Sequence, residues 1–320
     1  MSDTRPLVVI ARVLLPAGRD PLAKRFELKE GGLDATREEV LKLVPGADAL
    51  VADPSVPVDA ELLDAAGEQL RVVANFAVGH DNIDLAACSE RDVVATNTPG
   101  VLTEATAELA LALTLAAARG LSDAERDLRG GRWRGWNPAA YRGLELRGAT
   151  VGVVGLGRIG RRYAELVRGI GAEVVYTARS RKKDAERKLR ARRLKLPELL
   201  EKAQVVSLHA PANEETHRLI GPEELHRIGP NGVLVNTSRG PLVDTEALAA
   251  ALNAGTLGAA GLDVYEHEPR VPRALLEAPR CVLLPHIGSA TVEARDGMAR
   301  TAAENVIAVL QGRNPPNPVA

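Results

Sequence analysis

In the second half of the chain, an arginine, two acids and a histidine each stand just beyond an apolar, β-branched run. Arg239 follows the run that ends at Asn236, Asp263 and Glu268 follow the run ending at Leu262, and His286 follows Leu284 and Pro285. In open α/β sheets, ligands bind at the carboxyl ends of the strands. Side chains placed there suit chemistry at a carbonyl next to a carboxylate. Arg239 can grip the carboxylate with its planar fork and polarise the carbonyl. His286 can give a proton to the carbonyl oxygen, or take one back in the reverse direction. Glu268 can pair with the protonated imidazole and fix its orientation. Taken singly, an Arg-Gly after a strand is a common turn and a His after a Pro a common loop residue. Only their convergence makes a 2-oxo acid, reduced by hydride, the expected substrate.

A place for the hydride donor stands earlier. Gly155, Gly157 and Gly160 form a GxGxxG loop after the run Thr150–Val154 and before a helical pattern starting at Arg158. The first glycine permits a tight turn, the second lets backbone approach a pyrophosphate, and the third allows close helix–strand packing. Leu156, Arg158 and Ile159 complete the loop, and the helix N-terminus offers unpaired amides to the phosphates. An NAD site carries Asp or Glu about 20 residues past the first glycine. Here the next strand ends in Ala178, Arg179, Ser180 and Arg181. Cations and a hydroxyl suit a 2′-phosphate, so NADP is expected, with Arg179 the leading contact and NAD left open as a second cofactor.

The elements that must position these groups follow an alternating βαβ rhythm. Strand signals fall at Leu7–Leu14, Ala47–Ala52, Arg71–Asn75 and Val93–Asn97, with helical stretches Thr36–Leu43 and Asp59–Ala66 among them. An Ala/Leu-rich helix is expected over Thr103–Arg119. A second series of strands follows at Thr150–Val154, Glu173–Thr177, Gln204–His209, Gly232–Asn236, Ala259–Asp263 and Cys281–Leu284, then one long helix over Ala290–Gln311. The pattern predicts two doubly wound parallel-sheet α/β domains.

Composition narrows the function classes. With 320 residues there is room for two domains. A net charge of -1 gives no field to attract nucleic acid or an anionic membrane. Cys88 and Cys281 are far apart and read as reduced thiols, and no metal site is expected. Met1–Pro6 lacks a signal-peptide pattern and no apolar run approaches about 18 residues, so a cytoplasmic protein is expected.

These motifs together resemble the D-isomer-specific 2-hydroxyacid dehydrogenases over nearly the whole chain, and within them the glyoxylate and hydroxypyruvate reductases. The likeness rests on Gly155–Gly160, Asn236–Asp244, Gly261–Pro269, Pro285–Thr291 and the cofactor segment Tyr176–Arg181. It implies Arg239, Glu268 and His286 as the catalytic set, with Glu268 chosen over Glu266 because it directly precedes Pro269. It also implies that Asn75–Asp84 is the substrate loop, with the backbone of Val78 and Gly79 on the substrate carboxylate. His209, Ala210, Pro211 and Thr216 would line the adenosine half of the cofactor, and Thr106 would approach its phosphates. Thr237, Ser238, Arg239, Asp263, His286 and Gly288 would complete the cofactor contacts, Asp263 toward the nicotinamide.

The resemblance further implies a Rossmann cofactor domain (99–286) inserted into a flavodoxin-like substrate domain (1–98 plus 287–320), with a cleft that closes on substrate. A homodimer is implied, with Arg132–Pro138, including Trp136, and Tyr141 on the dimer arm. Glu268 argues against a formate dehydrogenase, which has Gln there. The basic cofactor segment, and a tail ending at Ala320 without a regulatory domain, argue against a phosphoglycerate dehydrogenase. A corepressor-like nucleotide sensor shares the triplet and stays as the competing class.

Overall fold

Strands rich in Val, Ala and Leu, buried on both faces, frame both halves of the chain. The computed structural model describes residues 5–319, so the first residues of Met1–Pro6 and the final Ala320 lie outside the described residues. In the first sheet, β1 (Leu7–Ile10), β2 (Glu27–Glu30), β3 (Ala49–Ala52), β4 (Val72–Asn75) and β5 (Val94–Thr96) run in the order β2-β1-β3-β4-β5. This is the flavodoxin-like order, and every pairing is parallel.

The second sheet holds β6 (Thr150–Val154), β7 (Glu173–Thr177), β8 (Arg192–Arg193), β9 (Val205–Leu208), β10 (Val233–Asn236), β11 (Ala259–Leu262) and β12 (Cys281–Leu283). Its order is β12-β11-β10-β9-β6-β7-β8, again all parallel. Counted from β6, the first six strands have the Rossmann order 3-2-1-4-5-6, with a seventh beyond. The chain therefore has two doubly wound parallel sheets.

Several elements differ from the sequence reading for physical reasons. β1 stops at Ile10 instead of reaching Leu14. Pro16 opens the helix Pro16–Ala23, and Leu15 before it is held extended. Both β2 and β8 lie at sheet edges and carry Glu27, Lys29, Glu30, Arg192 and Arg193. Charged edge strands discourage pairing with other chains, and they offer no apolar run to read. The helix Leu121–Arg129 has no buried residue, so no core-facing stripe marks it in the sequence.

The compact units comprise the residues up to Leu102 with those from Ser289 onward, and Thr103–Gly288. Each boundary falls a few residues beyond the motif-based division. Thr103 begins the helix Thr103–Ala118, which buries Ala107, Ala110, Leu113 and Ala117 within the second unit. A Cβ on Gly261 would stand 3.1 Å from the Leu113 carbonyl oxygen, so glycine in β11 lets that helix lie close on the sheet. Among the described residues no helix is long and apolar enough to cross a membrane. In the first unit, the helix Val292–Leu310 is capped by Thr291, whose hydroxyl accepts from Ala294 N at 3.1 Å.

Candidate active site

β6 lies at the switch point of the second sheet, between β7 and β9, and the glycine loop leaves its carboxyl end. Gly155 has φ +91°, and a Cβ there would stand 2.6 Å from the His209 carbonyl oxygen. At Gly160 a Cβ would stand 2.1 Å from the Gly155 oxygen. Those two glycines are demanded by the protein's own packing. Gly157 is different, because a Cβ there would meet nothing within 4 Å. Its bare backbone is exposed, at the N-terminus of the helix Arg158–Gly169, which has no side-chain cap. Leu156 is buried and anchors the loop, whereas Arg158 is exposed beside Gly157.

Further residues at the same edge fit a dinucleotide. The Thr237 hydroxyl, just past β10, is buried and has no partner among the described residues, a cost that a bound polar ligand would relieve. Arg179 is exposed past β7, and its side chain has no partner among the described residues. Arg181 instead pairs with Glu186 at 2.8 Å. Ser238 Oγ donates to the Ala210 carbonyl, tying the β9 and β10 exits together. His209 Nε2 lies 2.9 Å from Ser207 Oγ, and its ring tilts against Tyr163 at 5.0 Å. Burial pushes this imidazole down to about 3, so it stays neutral beneath the glycine loop. Thr216 caps its own turn, with its hydroxyl donating to Pro211 O at 2.7 Å.

The candidate reactive set occupies the next strand exits. His286 Nδ1 lies 2.7 Å from Glu268 Oε2. With the carboxylate as acceptor, Nδ1–H donates and Nε2 is left for proton exchange. Glu268 Oε1 accepts from Tyr265 N at 3.0 Å, and the Tyr265 hydroxyl donates to Leu284 O at 2.9 Å. Tyr265 thus ties the loop carrying Glu268 to the strand leading to His286. Burial works to raise the Glu268 carboxyl. The hydrogen bonds from His286 and Tyr265, with the charges of His286 and Arg239, outweigh it and hold the group below its ordinary value.

Asp263 holds the histidine loop. His286 has φ +54°, the left-handed region that a non-glycine residue seldom adopts. Its amide donates to Asp263 O at 2.9 Å. Ile287 N and Gly288 N donate to Asp263 Oδ1 and Oδ2, both at 2.8 Å. The Asp263 side chain is fully buried, and burial raises its carboxyl above the usual range. Both oxygens are engaged by its own loop. Thr106 packs here as well, its Cγ2 being 3.5 Å from where a Gly288 Cβ would stand.

Arg239 is set by a turn that Asn236 builds, with Nδ2 donating to Arg239 O at 2.9 Å and Oδ1 accepting from Ser238 N at 3.0 Å. Gly240 lies flush on the Tyr265 backbone, since a Cβ would overlap the Tyr265 carbonyl carbon at 1.8 Å. Sequence reasoning missed Asn236 and Tyr265 as supports because nothing in their spacing names their partners.

In the first unit, the loop after β4 has its carbonyls occupied. Asn97 Nδ2 donates to Val78 O at 2.8 Å and Asn75 Nδ2 to Gly79 O at 2.7 Å. The amides of Val78 and Gly79 have no acceptor among the described residues, so they are available to an anion. No group of three or more His, Cys, Asp or Glu among the described residues could hold a metal ion.

Residues 111–288 match the family model for the NAD-binding domain of D-isomer specific 2-hydroxyacid dehydrogenases. The glyoxylate reductase of Thermococcus litoralis is 43% identical over 319 residues, covering 98% of this chain and 96% of that protein. That of Aeropyrum pernix is 43% identical over 320 residues, covering 98% and 95%. Among solved structures, a Thermus thermophilus protein superimposes with TM-score 0.92 at 45% identity, covering 98% of this chain and all of the other. The NADPH-dependent glyoxylate/hydroxypyruvate reductase of Sinorhizobium meliloti, solved with NADP and malonate, gives 0.87 at 34% identity, covering 99% and 97%.

The chain belongs to the D-isomer specific 2-hydroxyacid dehydrogenase family. It is an NAD(P)-dependent dehydrogenase whose substrate is a small 2-oxo or 2-hydroxy acid.

Proposed function

We propose that this enzyme reduces glyoxylate, and hydroxypyruvate as a second substrate, to the D-2-hydroxy acid with NADPH. The observation that carries the reading is the His286–Glu268 pair at 2.7 Å, on the same sheet edge as Arg239 and the exposed Gly157 backbone. When bound, the nicotinamide supplies the hydride. Arg239 holds the substrate carboxylate and polarises the carbonyl. His286, oriented by Glu268, passes a proton from Nε2 to the carbonyl oxygen as charge develops there. In the oxidative direction the same nitrogen takes the proton back. Cofactor specificity falls to Arg179, with Ser180 beside it, because a cation without a partner among the described residues follows β7 where an NAD enzyme carries a carboxylate.

The names of relatives support the substrate: the curated relatives cited above are glyoxylate reductases. The Sinorhizobium meliloti protein is described as NADPH-dependent. The unit Thr103–Gly288 is the cofactor domain in this reading and the other unit the substrate domain. Trp133, Trp136 and Leu128 are exposed on and just before the arm, with Trp136 at 85%, which supports a homodimer that covers them. Two unpaired thiols fit a reducing, cytoplasmic setting.

The test follows nicotinamide absorbance with glyoxylate or hydroxypyruvate and either NADPH or NADH. Absence of turnover with every short 2-oxo acid would reject the enzyme assignment, and a preference for NADH would reject the role of Arg179. A monomer by light scattering would reject the arm as an interface.

A further inference from the structure

We propose that Arg193, from the edge strand β8, is a specificity-determining residue for the 2′-phosphate of NADP(H), acting beside Arg179, and that Arg181 is held out of that role by Glu186. The inference rests on the NADPH reading above and assigns the cations within it.

β8 is only Arg192–Arg193, paired with β7 so that Arg193 stands opposite Tyr176. Leu194 N donates to Tyr176 O at 2.9 Å and fixes that register. From this position the Arg193 guanidinium reaches along β7 to the chain leaving it. Nη2 donates to Ala178 O at 2.7 Å and to Arg179 O at 3.1 Å. No partner of Nε or Nη1 is found among the described residues, and no carboxylate there comes within ion-pair distance of this side chain, although its charge is felt by Glu186, whose carboxylate Arg181 engages directly. Two cations, Arg179 and Arg193, therefore flank the same peptide units at the carboxyl end of the strand next to β6. In a doubly wound domain the adenosine ribose is read at that place.

Arg181 is three bonds deep in another arrangement. Its Nε donates to both oxygens of the Glu186 carboxylate, at 3.0 and 2.8 Å, and its Nη2 lies 2.8 Å from one of them as an ion pair. Glu186 also accepts the Tyr176 hydroxyl at 2.8 Å, and that hydroxyl accepts from Lys182 N at 2.9 Å. The Arg181–Glu186 pair is neutral as a unit. The segment between is thereby fastened at one end by Arg193 and at the other by Tyr176 and Glu186. A loop shaped in advance loses little freedom when an anion arrives.

The experiment measures binding rather than turnover. The full-length protein is titrated calorimetrically with 2′,5′-ADP and with 5′-AMP, probes that differ in the 2′-phosphate. The unmodified protein is expected to prefer 2′,5′-ADP. Arg193→Met should weaken 2′,5′-ADP by about 10- to 100-fold, the worth of a charge-assisted hydrogen bond, and leave 5′-AMP essentially unchanged. Arg193→Lys should fall between. Arg181→Met should change either probe by less than about threefold, as expected for an exposed pair. Arg193 is exposed, so the unfolding midpoint should hold and serves as the check on folding.

A parallel loss of both probes in Arg193→Met, or no loss of either, overturns the proposal, as does an Arg181→Met loss equal to that of Arg193→Met. If the unmodified protein shows no preference between the probes, the NADPH reading falls with it. A preference that survives Arg193→Met sinks the role of Arg193 alone.

Discussion

Replacing Asp263 by Asn tests whether a buried carboxylate positions His286, the proposed proton donor. Asp263 accepts from Ile287 N and Gly288 N through separate oxygens, both at 2.8 Å, in a site with no exposure. An amide keeps one acceptor and turns an NH2 group toward the other backbone N–H. One charged hydrogen bond is lost and one buried amide is orphaned; set against the cheaper burial of a neutral group, the net cost is about 2 kcal/mol. There are two ways for the protein to absorb it. If the loop holds, stability falls by that amount, about 4–8 °C in the unfolding midpoint of a domain of this size. If the loop relaxes, the left-handed His286 (φ +54°) escapes its constraint, the imidazole swings from Glu268, and kcat falls about 30-fold. We expect the second, because the strained residue adjoins the lost bond and strain of this kind persists only where its surroundings enforce it. The assay is kcat for glyoxylate reduction at saturating NADPH, beside the Kd of NADPH from nicotinamide fluorescence. A variant with unchanged kcat and a weakened Kd would refute the positioning role and make Asp263 a cofactor contact. A variant with unchanged kcat and a lowered midpoint would confine its role to stability.

The glycine loop offers a matched pair. Gly160→Ala drives a Cβ into the Gly155 oxygen, 2.1 Å away, and should cost about 1–3 kcal/mol of stability as well as cofactor affinity. Gly157→Ala meets nothing, so it should fold normally and lose NADPH affinity alone, read by unfolding midpoint and fluorescence titration; unchanged affinity would mean the pyrophosphate does not lie over Gly157. Thr237→Val removes a buried hydroxyl that has no partner among the described residues. Its midpoint should hold or rise while NADPH affinity drops about tenfold, the worth of one hydrogen bond to a charged ligand. Glu268 is held below its ordinary carboxylate value despite burial that works to raise it. Such a depressed acid stabilises the fold fully above its unfolded value near 4.5, and the contribution is lost as pH falls through the folded value. The midpoints of the unmodified protein and Glu268→Gln should therefore differ at pH 6 to 7 and converge below about 4.5; a constant gap would show that the pairing charge is not the cause.

The sequence pointed to the candidate reactive groups more readily than to the groups that hold them, and the reason is physical. Central strands are continuous apolar runs, and residues just past them necessarily share an edge in a parallel sheet. Arg239, Glu268, His286 and the glycine loop were legible for that reason. β8 carried no such signal, because an edge strand protects itself with charge. The same charge hid Arg193 among the many cations between Arg181 and Arg193, where only the fold separates a paired arginine from an available one. Arg181 and Arg179 look alike in sequence, yet one is neutralised by Glu186 and the other has no partner among the described residues. The supports are a different case: Asp263 is visible in the sequence as an acid past a strand, but neither its holding role nor the roles of Asn236 and Tyr265 can be read there. Asn236, Asp263 and Tyr265 act through side-chain bonds to backbone, or through backbone amides, that join separate strand exits. A loop exit has no sheet to fix its direction, so each reactive side chain needs a local fastening, and the hydrogen-bonding residues at these exits supply it. That makes a buried polar residue just beyond a parallel strand as informative as the reactive one, since Asp263, fully buried with both oxygens satisfied, is what lets His286 keep a backbone conformation it would not choose alone.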